Sequence, residues 1–246
     1  FHPRMPDEPL IFVEIALVKG LAGDVRALLD EKAPLQDPGA ADTAIFYSIS
    51  NCQQGLAGIS FGNFLIKRVV AELSAEFRNI KTFATLSPIP GFRRWLDAKL
   101  GDEALLTADE KASLAAALGG AADGHPLARL LARKAWHRDE ALAEAAKPIL
   151  FKLCARYLLA ESAEVRGGEA KRARDPVAHF HLTNGAQAER LNWLADRSDK
   201  GFRESAGLMV NYLYDLDAIE ANHESYVGQG RRAASTAMKR LARGWV

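Results

Sequence analysis

Thr43-Ala44-Ile45-Phe46-Tyr47-Ser48 opens a run of β-branched and aromatic residues. A polar loop follows, Ser50-Asn51-Cys52-Gln53-Gln54-Gly55-Leu56-Ala57-Gly58. A second strand-like run comes later, Ile80-Lys81-Thr82-Phe83-Ala84-Thr85-Leu86. Between loop and second run, Phe61, Leu65, Val69 and Leu73 recur at helical spacing, with Ile66, Val70 and Phe77 beside them. That spacing predicts a helix from Phe61 to Phe77. Strand, glycine-bearing loop, helix and strand make a crossover unit, right-handed if the two strands are parallel neighbours.

Outward from this unit, Pro9 to Lys19 reads as a strand and Asp24 to Asp30 as a short helix. Downstream, Ser87-Pro88-Ile89-Pro90-Gly91-Phe92 ends the second run, its prolines and glycine holding an extended turn. Four alanine- and leucine-rich helices are predicted at 91–100, 108–118, 126–135 and 139–159, broken by Gly119, Gly120 and Gly124. They read as a helical insertion over 91–160. A polar, basic loop spans Glu161 to Arg174. Strands follow at Gln187–Ala195 and Gly207–Tyr214, and a helix at Arg231–Arg243 closes the chain. The class is α+β with an α/β-like unit: a mixed sheet flanked by helices.

Composition narrows the function. The 246 residues carry a net charge of +1 with 48% hydrophobic residues, so no global field points to nucleic acid or an anionic membrane. No apolar run reaches the roughly 18 residues of a membrane span. Leu10 to Val18 is interrupted by Glu14 and reads as a buried strand. The two cysteines, Cys52 and Cys154, form no C-x-x-C pair, which fits a reducing compartment. The start at Phe1 suggests the C-terminal part of a longer protein. High arginine and alanine point to a bacterial cytoplasm.

Several residues carry chemistry. Ser87 leaves a strand at the carboxyl end, where ligands of open α/β sheets gather. The segment His179-Phe180-His181-Leu182-Thr183-Asn184-Gly185-Ala186 supplies imidazole, which titrates near neutrality. A held serine and a distant histidine suit proton transfer. The loop Ala57-Gly58-Ile59-Ser60-Phe61-Gly62-Asn63 enters the Phe61 helix, so its free N–H groups favour a phosphate, with Lys67 and Arg68 adding charge. A plain turning loop is the alternative. Gly58-Ile59-Ser60-Phe61-Gly62 also matches the G-x-S-x-G elbow, but the abrupt strand-to-helix context is lacking. His179 and His181, if on a strand, would share a face. A metal needs a third ligand, and none has helpful spacing, so no metal site is assigned. Tyr212 and Tyr214 share a face of the last strand.

A longer pattern emerges in Phe46-Tyr47-Ser48-Ile49-Ser50, Gln53-Gln54-Gly55-Leu56, Phe64-Leu65-Ile66-Lys67-Arg68-Val69-Val70 and Leu86-Ser87-Pro88-Ile89-Pro90-Gly91-Phe92. It continues in Phe180-His181-Leu182, Asn184-Gly185-Ala186, Asn192-Trp193, Ala195-Asp196, Gly207-Leu208-Met209 and Asn211-Tyr212. In this order and spacing the chain strongly resembles the malonyl-CoA decarboxylase family. The resemblance implies a catalytic domain like the GNAT acetyltransferases over 1–246, without the family's helical N-terminal domain, which lies outside this chain. It implies that Ala57 to Asn63 hold the CoA pyrophosphate, that pantetheine runs between two splayed strands, and that Ser87 sits beside the thioester. It places the catalytic serine on Ser87, the catalytic histidine on His181 and not His179, and the active-site tyrosine on Tyr214. Asn184 would orient His181 or bind a carbonyl. Some family members carry an acid where this chain has Ser60.

The implied reaction is malonyl-CoA to acetyl-CoA and CO2, with malonyl-CoA and acetyl-CoA as the ligands. The family's members form homo-oligomers. No cofactor is needed, because the carboxylate lies β to a thioester carbonyl that takes up the electron pair. Two rival activities share parts of the pattern: an acyl-CoA-dependent acyltransferase of the GNAT type and a serine hydrolase.

Overall fold

The computed structural model describes residues 4, 6–34, 37–53, 62–120, 123–163 and 172–246, without the side chains of 50–51 and 62–65. Its centre is one mixed sheet of five strands: β1 (Ile11–Val18), β2 (Thr43–Asn51), β3 (Thr82–Thr85), β4 (Gln187–Asn192) and β5 (Met209–Leu213). Their order is β1-β2-β3-β5-β4. β2 and β3 are parallel neighbours, as a crossover unit requires, and every other pair is antiparallel. The helix between them, α2 (Gly62–Glu76), matches the apolar spacing.

Before the crossover unit comes α1 (Val25–Leu28). Between β3 and β4 come α3 (Phe92–Lys99), α4 (Ala108–Ala117), α5 (Pro126–Ala132), α6 (Glu140–Leu159) and α7 (Pro176–Thr183). The rest are α8 (Asp199–Ser205), α9 (Ile219–Gln229) and α10 (Thr236–Leu241). Local signals set many of these ends. Thr107 and Glu110 form a reciprocal capping box at α4, and the Asp139 carboxylate caps α6.

Alternation along the strands divides the core. Ala44, Phe46, Phe83, Val210, Tyr212 and Tyr214 face a large core shared with the helices of 92–159 and with α7. Ile45, Ala84, Leu86 and Met209 face a smaller one with Val25 and Leu28 of α1. Odd-numbered Thr85 and Ser87 follow Phe83 onto the large-core face. There the functional side chains meet.

One sequence condition is decided and one expectation is corrected. Residues 176–183, for which the sequence reading assigned no element, form α7: Asp175 accepts from the Val177 and Ala178 N–H groups as N-cap, and Pro176 takes the first turn. His179 and His181 lie about 200° apart around that helix at 3.6 residues per turn, so they cannot share a face. The predicted helix at Arg231–Arg243 shortens to α10, because Ser235 caps the N–H of Met238 and so fixes the start.

Candidate active site

β2 and β3 pair only from Thr43–Phe46 to Thr82–Thr85, with one further bond from Leu86 N–H to Phe46 O at 3.2 Å. β2 then continues to Asn51 against β1 alone. The β3–β5 ladder is also interrupted. Ala84 pairs with Leu213 and Ser87 with Val210, while side chains bridge the gap between them. Thr85 Oγ1 accepts the Tyr212 N–H at 3.1 Å, and Asn211 Nδ2 donates to Thr85 O at 2.7 Å. Ser87 itself is fixed by its own backbone, which gives and receives a bond with Val210 at 2.8 and 3.0 Å.

From this fixed backbone the Ser87 hydroxyl donates to Thr85 Oγ1 at 2.7 Å. His181 descends from α7 with Nε2 at 3.0 Å from Ser87 Oγ and Nδ1 at 2.8 Å from Tyr214 Oη. With Tyr214 donating to Nδ1, the neutral imidazole carries its proton on Nε2 and presents it to Ser87. The result is a line of four side chains: Tyr214, His181, Ser87, Thr85. Ser87 and His181 are each only 4% exposed. Tyr212 stacks on the imidazole with ring centroids 4.6 Å apart and planes at 25°.

Burial decides the protonation state. With no carboxylate partner, desolvation lowers the His181 pKa to about 3, so its imidazole is neutral near pH 7. Burial raises the Tyr214 pKa far above that of a free phenol, so its hydroxyl remains a donor. Asn184, C-cap of α7, lies near enough to Tyr214 to oppose part of that rise, yet its amide makes no hydrogen bond of acceptable geometry. Both amide atoms of Asn184 and the Tyr212 hydroxyl are buried without a partner, on residues that are each 1% exposed. Unpaired buried polar atoms are costly. The Asn184 amide lies beside Tyr214, where a polar ligand would complete it.

Two segments must be registered for Ser87 to meet His181, which lies 94 residues further along. Asp175 joins them. Its Oδ1 accepts from the first turn of α7 at 3.0 and 2.9 Å. Its Oδ2 accepts from Gly91 N–H at 3.4 Å and from Tyr157 Oη at 3.3 Å. The end of the Ser87 turn and the start of the His181 helix therefore share one carboxylate. Glycine is required at 91, because a Cβ there would lie 2.1 Å from Tyr157 Oη.

The other candidates fall elsewhere. His179 turns to α9, with Nδ1 2.8 Å from Tyr226 Oη, and burial lowers its pKa to about 4. Lys67 pairs with Glu220 at 3.1 Å and Arg68 with Glu72 at 3.1 Å, so neither cation is left unpaired beside the loop. Ala57, Gly58, Ile59, Ser60 and Phe61 lie outside the described residues, and Gly62 and Asn63 begin α2. Among the described residues no group of three His, Cys, Asp or Glu side chains is placed to share a metal ion, and no helix is long and apolar enough to cross a membrane. Sequence reasoning missed Thr85 and Asp175. The first was legible as a hydroxyl two residues before Ser87 on a strand, the second as an Asp-Pro helix start.

The sequence profile of the malonyl-CoA decarboxylase C-terminal domain matches residues 1–245. The chain belongs to the malonyl-CoA decarboxylase family. It is 40% identical over 243 residues to the mitochondrial malonyl-CoA decarboxylase of Rattus norvegicus, covering 95% of this chain and 48% of that protein. It is 39% identical to the enzyme of the same name from Anser anser anser, covering 47% of it. The chain thus spans about half the length of the curated relatives it matches. The crystal structure of malonyl-CoA decarboxylase from Rhodopseudomonas palustris superposes with a TM-score of 0.84 at 48% identity, over 98% of this chain and 51% of that one. The mixed sheet with flanking helices is therefore the arrangement of solved malonyl-CoA decarboxylases.

Proposed function

We propose that the protein carrying this chain decarboxylates malonyl-CoA to acetyl-CoA, and that Ser87, His181, Tyr214 and Asn184 form its reaction centre. The observation that carries the reading is the buried Tyr214–His181–Ser87 line, in a chain of this family.

The chemistry asks little of the protein. The substrate's C–C bond breaks, CO2 leaves, and the electron pair enters an enolate conjugated to the thioester carbonyl. One proton is then delivered to the α carbon, so the sum is malonyl-CoA plus a proton to acetyl-CoA plus CO2. The substrate holds its own electron sink, and this route calls on no cofactor. What accelerates it is a dry site that weakens carboxylate solvation, together with placed donors at the enolate oxygen.

Each side chain has a part in this account. Ser87 Oγ hydrogen-bonds the carboxylate or thioester oxygen. Asn184 supplies the second polar contact, from an amide that otherwise has no partner. The arriving carboxylate brings negative charge beside His181 and raises its pKa from the low value set by burial. His181 takes up one proton from solvent, gives its Nε2 proton to the α carbon and returns to the neutral imidazole, with Tyr214 Oη hydrogen-bonded at Nδ1 throughout. Binding the substrate thereby charges the acid that finishes the reaction. The open interval between β2 beyond Phe46 and β3 beyond Thr85 is the proposed course of the pantetheine arm, and residues 57–63 are its proposed pyrophosphate loop.

A serine–histidine contact of 3.0 Å favours one second reading, acyl transfer to Ser87 with release of free CoA. The test is to incubate the intact protein with malonyl-CoA and follow CO2, acetyl-CoA and free thiol together, with and without a chelator. The proposal expects equal CO2 and acetyl-CoA, no thiol, and a much lower kcat in Ser87→Ala. Thiol release without CO2 would establish the second reading instead.

A further inference from the structure

A cavity of about 1210 Å³ lies beyond β4, walled by α9, α10 and the end of α6. Five cations line it: Arg231, Arg232, Lys239, Arg240 and Arg243. No Asp or Glu is among its lining residues. Among the described residues none of the five belongs to an ion pair.

Arg232 is the anchored member. Its guanidinium donates to Leu158 O at 3.2 Å and to Ser162 Oγ at 2.8 Å, both neutral acceptors. Glu161, which acts on Arg232 at longer range, is turned to Arg156 Nε at 3.0 Å. The charge of Arg232 is thus held in place without being neutralised. Arg231, Lys239, Arg240 and Arg243 are exposed around it. Lys239 and Arg240 lie in the last turn of α10 and Arg243 in the turn just beyond it.

Five like charges at one cavity, in a chain of net charge +1, repel one another unless an anion joins them. A concave site of this size suits a small ligand, whereas duplex nucleic acid needs an extended basic face. Guanidinium groups match phosphate oxygens in pairs. We infer that this cavity binds a small molecule bearing two or more phosphate groups. The inference stands without the decarboxylase reading, although the two sites share a wall: Asn222 lines the cavity and donates to Gly185 O at 3.2 Å, next to Asn184.

Such phosphates have two possible sources, the nucleotide end of the acyl-CoA, which would then lie here and not at residues 57–63, or a separate phosphorylated metabolite. The experiment is calorimetric titration of the intact protein with inorganic pyrophosphate and with ADP, at low and at physiological salt. It is repeated on Arg231→Gln/Arg240→Gln, with Lys239→Gln/Arg243→Gln as a second pair and melting temperature as the folding check. The inference expects salt-sensitive binding that weakens at least ~10-fold in both pairs. A KM for malonyl-CoA that rises in step identifies the substrate's own phosphates. An unchanged KM identifies a separate ligand. Absent pyrophosphate and ADP binding, or binding undiminished in both pairs, overturns the inference. So does a change of oligomeric mass in the variants in place of a change in binding, which would make the patch a contact between copies.

Discussion

Gly91→Ala measures how tightly the two catalytic segments are registered. The backbone at 91 has φ −100° and ψ −10°, which alanine adopts freely, so the substitution carries no conformational penalty of its own. The cost is steric. The new Cβ would sit 2.1 Å from Tyr157 Oη, and Tyr157 is held between Phe92 and Trp95 at centroid distances of 5.8 and 5.4 Å. The ring must shift, at an overpacking cost of about 1–3 kcal/mol. Its hydroxyl then leaves Asp175, losing a bond to a charged acceptor worth about 1.5–3 kcal/mol. Together Gly91→Ala should cost about 2.5–6 kcal/mol. Tyr157→Phe removes only the hydroxyl, so it should cost about 1.5–3 kcal/mol. In the double variant the clashing atom is gone and the nearest remaining ring carbon lies at 3.3 Å. Its stability should therefore fall close to that of Tyr157→Phe alone. Urea denaturation of the four proteins closes the cycle, and CO2 release from malonyl-CoA should recover in the double variant relative to Gly91→Ala. Costs that add within about 0.5 kcal/mol would refute the clamp.

Other perturbations probe other joints. Because burial lowers the His181 pKa from 6.5 to about 3, the unfolded chain binds a proton that the folded one refuses. The stability that this neutral histidine confers is complete above pH 6.5 and is lost as pH falls toward 3, at up to about 1.4 kcal/mol per pH unit. Urea midpoints at pH 7.5 and 5.5 should differ less in His181→Asn than in the wild type, and an equal difference would contradict the assignment. Asp175, whose pKa burial raises, acts in the opposite direction but is present in both proteins, so its contribution cancels in that comparison. Tyr214→Phe removes the hydroxyl at Nδ1 and should lower kcat about 10–100-fold with little change in KM. A proportionate rise in KM would show a binding role instead. Gly185→Ala meets both a φ of +80° and the Ile219 carbonyl at 2.1 Å. It should cost about 2 kcal/mol or more in urea denaturation, and a cost under about 0.5 kcal/mol would show that the α7–β4 turn yields.

The crossover unit was legible because two physical periods alternate there. Thr43–Ser48 and Ile80–Leu86 are bounded apolar runs of strand length, and Phe61, Leu65, Val69 and Leu73 repeat at helical spacing. The helix α7 was not, because Ala178-His179-Phe180-His181-Leu182 is buried or half-buried around its whole circumference and has no polar stripe. Its true signal was the Asp175-Pro176 start. At the site, the position of Ser87 followed from the end of a strand. Its meeting with His181 depends on a carboxylate that joins Gly91 to α7, a tertiary contact that local pattern does not encode. Selecting His181 over His179 therefore came only from the family resemblance. The low pKa of His181 was equally hidden, since it arises from burial by distant residues such as Tyr212.

The central claim is that the imidazole of His181 hands the proton to the nascent acetyl group. The most direct measurement is kcat for CO2 release by His181→Asn at saturating malonyl-CoA, alongside the dissociation constant for a non-reactive acyl-CoA. The account predicts a kcat lower by at least ~10²-fold with affinity changed by no more than a few-fold. Turnover near that of the unaltered protein, with the variant folded, would contradict it.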